Sequence, residues 1–367
     1  MKRFALFLAL LLVGITPAVA APKSVAVKKL SIIATVSAEA MVITGKTIVT
    51  VSNTDGVNSN ILLTGMDISG TQLWQKTIDS GIDEVALASA VDPLGNVWLA
   101  GASSVQVAVE SATAPIQAEN PDGVIAEPVT KLRTDMNLLT LWKVSPLGDL
   151  LGTYTLSQSA PALINAISVN ANGVSIVGQL LDKPFVVSAT STGVFGKVIS
   201  VGTSKTALNT VVRHTDGSVS VFGSSTETLV GKKLAGVRDG VLIRVSKTGA
   251  ITSVVRSSAP KANRAWLSAD STLALTGFVK SGKIIETAFT KFTMAFAPTW
   301  TMRVPSLGTS TVLTAGNTTY GAISSSAAVP GVIGWKPTSA SVLLLTLDGK
   351  GVVSGAYGSS EIASRRH

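Results

Sequence analysis

Residues 60–78 read NILLTGMDISGTQLWQKTI: an apolar strand, a turn closed by Gly70, and a second strand carrying Trp74. The same arrangement returns at 138–156 (LLTLWKVSPLGDLLGTYTL, Gly148), 184–201 (PFVVSATSTGVFGKVISV, Gly193), 240–257 (GVLIRVSKTGAITSVVRS, Gly249), 288–304 (AFTKFTMAFAPTWTMRV, near Pro298) and 341–357 (SVLLLTLDGKGVVSGAY, Gly349). Between these hairpins lies a second set: AEAMVITGKTIVTVS, EVALASAVDPLGNVWLAG, LINAISVNANGVSIVG, LNTVVRHTDGSVSVFG, RAWLSADSTLALTG and VLTAGNTTYGAIS. The two sets alternate strictly, so the repeating unit has four strands.

Successive turns of the first set are 78, 45, 56, 49 and 51 residues apart, the repeat length of a four-stranded propeller blade. An insertion, residues 105–137, accounts for the outlying 78. The strands are rich in Val, Ile, Leu and Thr and alternate with period two, as at Val49-Thr50-Val51-Ser52 and Val219-Ser220-Val221-Phe222. Asn172-Gly173 and Asp216-Gly217 supply the positive φ that tight hairpins need. The sequence therefore predicts an all-β, single-domain propeller of four-stranded antiparallel blades, with six blades preferred and seven the runner-up. Residues 24–36 (SVAVKKLSIIATV) form an additional strand-like segment, expected at the outer edge of the last blade, where it covers an exposed strand edge.

The unit from Met66 to Trp74, with Asp67, Gly70 and Trp74, resembles the repeat of PQQ-like and related secreted bacterial propellers. The resemblance implies the architecture. In the quinoprotein dehydrogenases of that group it would also imply a quinone held beside calcium, a catalytic Asp and a paired-cysteine contact; none of these is placed in this chain, which has no Cys. Asp67 and Gly70 are three apart, whereas the Asp-box of sialidase-like propellers sets Gly two after Asp. No cofactor and no catalytic residue is carried over.

The chain begins MKRFALFLALLLVGITPAVA: basic Lys2 and Arg3, an apolar run from Phe4 to Ile15, then small Ala18 and Ala20. This is the pattern of a secretory signal peptide over 1–20, too short for the roughly 20 apolar residues of a membrane span. With no Cys after it for a lipid, the expectation is an exported protein without a membrane anchor, its propeller spanning 21–367. Zero Cys also removes disulfides, thiolate catalysis and Cys-ligated zinc, so the fold must rest on its own core. With 46% apolar and 14% charged residues, buried sheets suit the composition.

In a propeller, the loops joining second to third strands share one face with the links between blades; the hairpin turns occupy the other. On this reading the loops 54–59, 105–137, 180–184, 225–239, 280–283 and 327–339 elaborate one face. Charge is uneven as well. Residues 205–303 carry 14 Lys and Arg against five acids, while the remainder of 21–367 is close to balanced. Lys232, Lys233, Arg238, Lys261, Arg264, Lys280 and Lys283 fall in loops of blades four and five and, with Trp335 in GVIGWKP, are the candidate ligand-binding residues. Lys205 belongs to the same basic region. An anionic polysaccharide or a protein partner fits such a patch, since summed potential concentrates a polyanion; solvated loops that keep an apolar protein soluble are the plainer reading. The remaining tryptophans sit in strand patterns.

Other chemistry finds little support. His214 lies in a turn on the hairpin-turn face, no G-x-S-x-G elbow exists, and His367 is terminal. Two His make no zinc set, and Asp92-Pro-Leu-Gly-Asn96 and Asp348-Gly-Lys-Gly351 read as turns rather than calcium loops. Aromatic residues make up 5% and do not interleave with the basic loops, which disfavours nucleic acid. Glu110, Glu119, Asp122, Glu127 and Asp135 in the insertion leave open a polysaccharide hydrolase or lyase using paired carboxylates. A purely structural surface protein is the third reading. The expected role is an exported, non-catalytic binding or scaffolding propeller.

Overall fold

The computed structural model describes residues 24–30, 37–105 and 135–363. Six sheets follow one another along the chain, and no described residue is helical. The first is built from Ala40–Thr44, Thr47–Thr54, Asn60–Met66 and Gln72–Ile78; the second from Glu84–Val91, Val97–Ser103, Leu138–Val144 and Leu150–Ser157. Ala162–Asn170, Gly173–Leu180, Lys183–Thr190 and Ile199–Ser200 make the third, and Thr206–Arg213, Val219–Ser225, Asp239–Val245 and Ile251–Ser257 the fourth. The fifth takes Asn263–Ala269, Ala274–Ser281, Ile284–Phe292 and Pro298–Pro305, and the sixth Ser310–Ala315, Thr318–Ser325, Ser341–Leu347 and Val353–Ala363. Each is an antiparallel meander in chain order, and consecutive sheets pack face to face, which is a β-propeller.

The glycine late in most second strands is dictated by the strand beside it. Leu87, Asn165, Asn209 and Leu267 are extra residues in the innermost strands of sheets two to five. Each bulge drives a carbonyl toward the second strand, so a Cβ at Gly101, Gly178, Gly223 or Gly277 would lie 1.8, 2.1, 1.9 or 2.0 Å from it. Only glycine fits. The bulges also stitch neighbouring sheets together: Asn165 Nδ2 donates to Leu208 O at 2.7 Å and Asn209 Nδ2 to Trp266 O at 2.7 Å. Asn53 makes the corresponding bridge from the first sheet, exchanging two 2.9 Å bonds with the Ala86 backbone.

Hairpin turns on one face share a device. Residue one, Asp67, Asp92, Ser145, Ser246, Asp270 or Asp348, uses its side-chain oxygen to accept the N–H of the residue four later, while the residue before that acceptor's donor turns to positive φ. Two turns depart from expectation. In the sixth sheet the left-handed residue is Gly351 (φ 78°), not Gly349. In the fifth the turn spans 293–297 with Phe296 left-handed (φ 61°), so Pro298 already begins the strand. Leu273 (φ 62°) takes the same role in that sheet's other turn. Both side chains are buried against Phe222, Trp266 and Phe292, which offsets the conformational cost.

Five cores fill the junctions between consecutive sheets, from Val49, Leu63 and Trp142 at the first to Phe289, Leu343 and Leu345 at the last. The faces that the first and last sheets turn away from these cores are thinner: Met41, Ile43 and Leu313 are 62%, 61% and 61% exposed. The strand Val25–Lys29, which precedes the first sheet in the chain, belongs to the sixth. It lies parallel to Val353–Ala363 at the outer edge of the sixth sheet, Val27 opposite Ala356, before the chain passes to the first sheet. Val332–Ile333 pairs with its far side.

Candidate functional site

The connections between second and third strands fall on the same rim as the links between sheets, because each sheet is a simple meander. Their lengths alternate. Long connections, 104–137, 226–238 and 326–340, belong to the second, fourth and sixth sheets. In the third and fifth, Leu180 pairs with Lys183 and Ser281 with Ile284, so 180–184 and 280–283 are tight turns and not the elaborated loops expected. Most of the insertion, with Glu110, Glu119, Asp122 and Glu127, lies outside the described residues; Val105 N donates to Asp135 O at its base.

The 226–238 loop is held from beneath by groups that no motif singles out. Asp239 is fully buried and its carboxylate accepts from Ala235 N (2.9 Å) and Gly236 N (2.8 Å) while pairing with Arg256 Nη1 at 3.2 Å. Arg256 in turn donates from Nε to Lys232 O at 3.0 Å and from Nη2 to Glu227 O. At the loop's start, Glu227 accepts from Thr203 N (2.7 Å), Thr203 Oγ1 (3.0 Å) and Thr206 Oγ1 (2.6 Å), tying it to the link from the third sheet. Those donors hold its carboxyl below the ordinary range against the opposing effect of burial. At the loop's end, Val237 N donates to Ala262 O and Arg264 N to Arg238 O, joining it to the link into the fifth sheet.

Both acids of this region are thus used internally. Lys205, Lys232, Lys233, Arg238 and Lys261 are exposed, and none of them makes an ion pair among the described residues. Backbone bonds gather their segments: Thr226 N donates to Lys205 O, and Leu229 and Lys232 close a tight turn through Val230 and Gly231. Lys280 and Lys283 are exposed on the neighbouring sheet's turn. Lys280 also edges an apolar cavity of about 320 Å³ with Leu267, Phe278 and Leu307.

Two candidates sit elsewhere. Arg264 is not a free surface cation: its guanidinium stacks 4.8 Å above the Trp266 ring, and burial, with Arg303 nearby, lowers its pKa to about 10. It remains charged at neutral pH. Trp335 is 6% exposed and packs in the sixth sheet's core over Gly358, whose Cβ would lie 2.3 Å from the ring. The indole is almost wholly buried, and what it still presents borders a cleft of about 260 Å³ with Lys28, Lys29 and Lys336. The signal that hides it is the N-terminal strand, hundreds of residues away, whose Val25 and Val27 pack against the same core.

His214 Nε2 lies 2.7 Å from Ser220 Oγ, but Ser220 is completely buried, which leaves no access for a nucleophile. Burial, then Arg244, lowers the His214 pKa below its usual value; Asp216 opposes them. Asp67 and Asp348 serve their own turns, held below the carboxylate range by the hydroxyl of Ser69 and the N–H of Thr71, and by the N–H groups of Val352 and Lys350. Among the described residues, no three His, Asp or Glu side chains converge as a metal group.

No family model matches this chain, and no curated protein does. Solved structures do. A protein from Lactobacillus plantarum superposes with a TM-score of 0.52 at 11% identity, covering 89% of this chain and 85% of that one. The Pseudomonas brassicacearum lignostilbene dioxygenase gives 0.46 at 10%, covering 89% and 73%, and the β-propeller domain of the Trilobed protease from Pyrococcus furiosus 0.37 at 9%, covering 89% and 96%. At these identities the likeness speaks to fold alone.

Proposed function

We propose that this protein is an exported, non-catalytic propeller that binds an anionic polysaccharide of the envelope or medium through the basic loops of its fourth and fifth sheets. The observation that carries the reading is the 226–238 loop: its acids face inward to brace it, while Lys232, Lys233 and Arg238 stand exposed and unpaired on the same rim as Lys205 and Lys261. A braced loop presents its charges without the ordering cost a floppy one would incur on binding. The leader-like residues 1–20 support export. Lys280 and Lys283 extend the positive surface onto the next sheet; Arg264 and Trp335 are left out of the contact because both are occupied in packing. The test is retention on immobilised heparin and on teichoic-acid resin. The native protein is expected to be retained, and the triple variant Lys232→Ala, Lys233→Ala, Arg238→Ala to elute at clearly lower salt. Equal elution of the two overturns the reading.

A further inference from the structure

The third sheet is the exception among the six, because its outermost strand is reduced to Ile199–Ser200. Residues 191–198, expected as an ordinary second arm of the hairpin around Gly193, leave the ladder: Phe195 forms only an isolated bridge with Ala189, and Gly196 N donates to Ser188 O. Where the strand is missing, a cleft of about 340 Å³ opens between the third and fourth sheets, on the hairpin-turn side and so opposite the basic loops. Val194, Phe195 and Val245 give it apolar walls, and Lys197, Arg213 and Lys247 contribute three cations; no Asp or Glu is among its lining residues.

Arg213 is the informative member. Its Nη1 donates to Ser175 Oγ (3.0 Å) and Val174 O (3.4 Å) and its Nη2 to Asn172 O (3.3 Å), all neutral acceptors. Its Nε is buried with no acceptor, and no carboxylate among the described residues lies in ion-pair range. Arg256 and Arg303, by contrast, each have an acidic partner. Desolvation lowers the Arg213 pKa with no neighbouring charge to oppose it. A partly buried cation without a counter-charge is costly, and an arriving anion would supply what the protein omits. A few polar groups set in an apolar cleft of this volume are the usual make-up of a small-molecule site.

We propose that this cleft binds a small organic anion with an apolar body, the acidic group taken by Arg213, Lys197 and Lys247 and the hydrocarbon part seated against Phe195, Val194 and Val245. The site is independent of the polysaccharide-binding rim. Calorimetric titration of the full protein with naphthalene-2-sulfonate, and with the uncharged naphthalene-2-sulfonamide as its isosteric control, tests it. The expected result is one saturable site for the sulfonate, with the sulfonamide weaker by about tenfold or more, the size of one charge-assisted contact. Lys197→Ala with Lys247→Ala, both exposed side chains, should weaken the sulfonate by a similar factor even if Arg213→Gln proves unable to fold. The triple variant at 232, 233 and 238 should leave its affinity unchanged. Absence of saturable binding, equal affinity for the two probes, or insensitivity to the lysine pair overturns the proposal.

Discussion

Gly148 answers two demands at once. Its φ of +88° is left-handed, and an added Cβ would lie 2.6 Å from the ring of Trp74 in the preceding sheet. The pairing recurs around the molecule: Tyr154 covers Gly193, Ile199 covers Gly249, and Trp300 covers Gly351, each from the outer strand of one sheet to the turn of the next. Trp74 of the unit quoted from the sequence is therefore one half of an inter-sheet lock, whose other half is the turn glycine of the next sheet. Gly45 is left-handed too (φ +58°) but has open space around it. Gly45→Ala should cost only the conformational penalty, about 1–2 kcal/mol. Gly148→Ala adds overpacking of about 1–3 kcal/mol. Urea denaturation of both variants measures the difference; equal losses would mean that the ring contact contributes nothing.

Among the elements, the 226–238 loop depends most on a single buried interaction, Asp239 with Arg256, whose side chains are 0% and 7% exposed. Removing one partner of a buried pair typically costs about 3–5 kcal/mol, because the other charge is stranded. Arg256 also holds the carbonyls of Glu227 and Lys232, so Arg256→Met should release the loop as well as destabilise the sheet. Faster amide exchange over 229–236 than in the other long loops is the expected signature; unchanged exchange would show that the Glu227 contacts suffice alone. Little of this bracing was legible in the sequence, where nothing local marks Asp239 and Arg256, 17 residues apart, as partners. The four-stranded unit was legible, because period-two strands and turn glycines are local signals, and so was the Gly closing WLAG, SIVG, SVFG and ALTG, although not the bulge that requires it. Phe296 and Leu273 were missed as turn residues because nothing in their chemistry favours positive φ; only the core they fill makes it affordable. The short strand Ile199–Ser200 was hidden because the turn around Gly193 resembles the other hairpin turns, although period two breaks over Val194-Phe195-Gly196-Lys197.

For the whole molecule, the meander topology sorts chemistry by face. Second-to-third connections reach one rim, where the long loops of alternate sheets and the exposed lysines gather; the hairpin turns, with the Arg213 cleft among them, occupy the other. The N-terminal strand pairs at the outer edge of the last sheet, as expected, and it also packs Val25 and Val27 against the core that holds Trp335. Trp335 was judged from its loop setting, and that long-range contact is what the setting concealed. The basic rim is proposed to bind a polyanion by charge. The most direct test of this is the dissociation constant of a heparin oligosaccharide of defined length, measured across a series of salt concentrations for the native protein and the triple variant at 232, 233 and 238. Charge-driven binding should weaken steeply as salt screens the exposed lysines, and the variant should show both weaker affinity and a shallower dependence. Affinity indifferent to salt, or identical dependence in the two proteins, would contradict it.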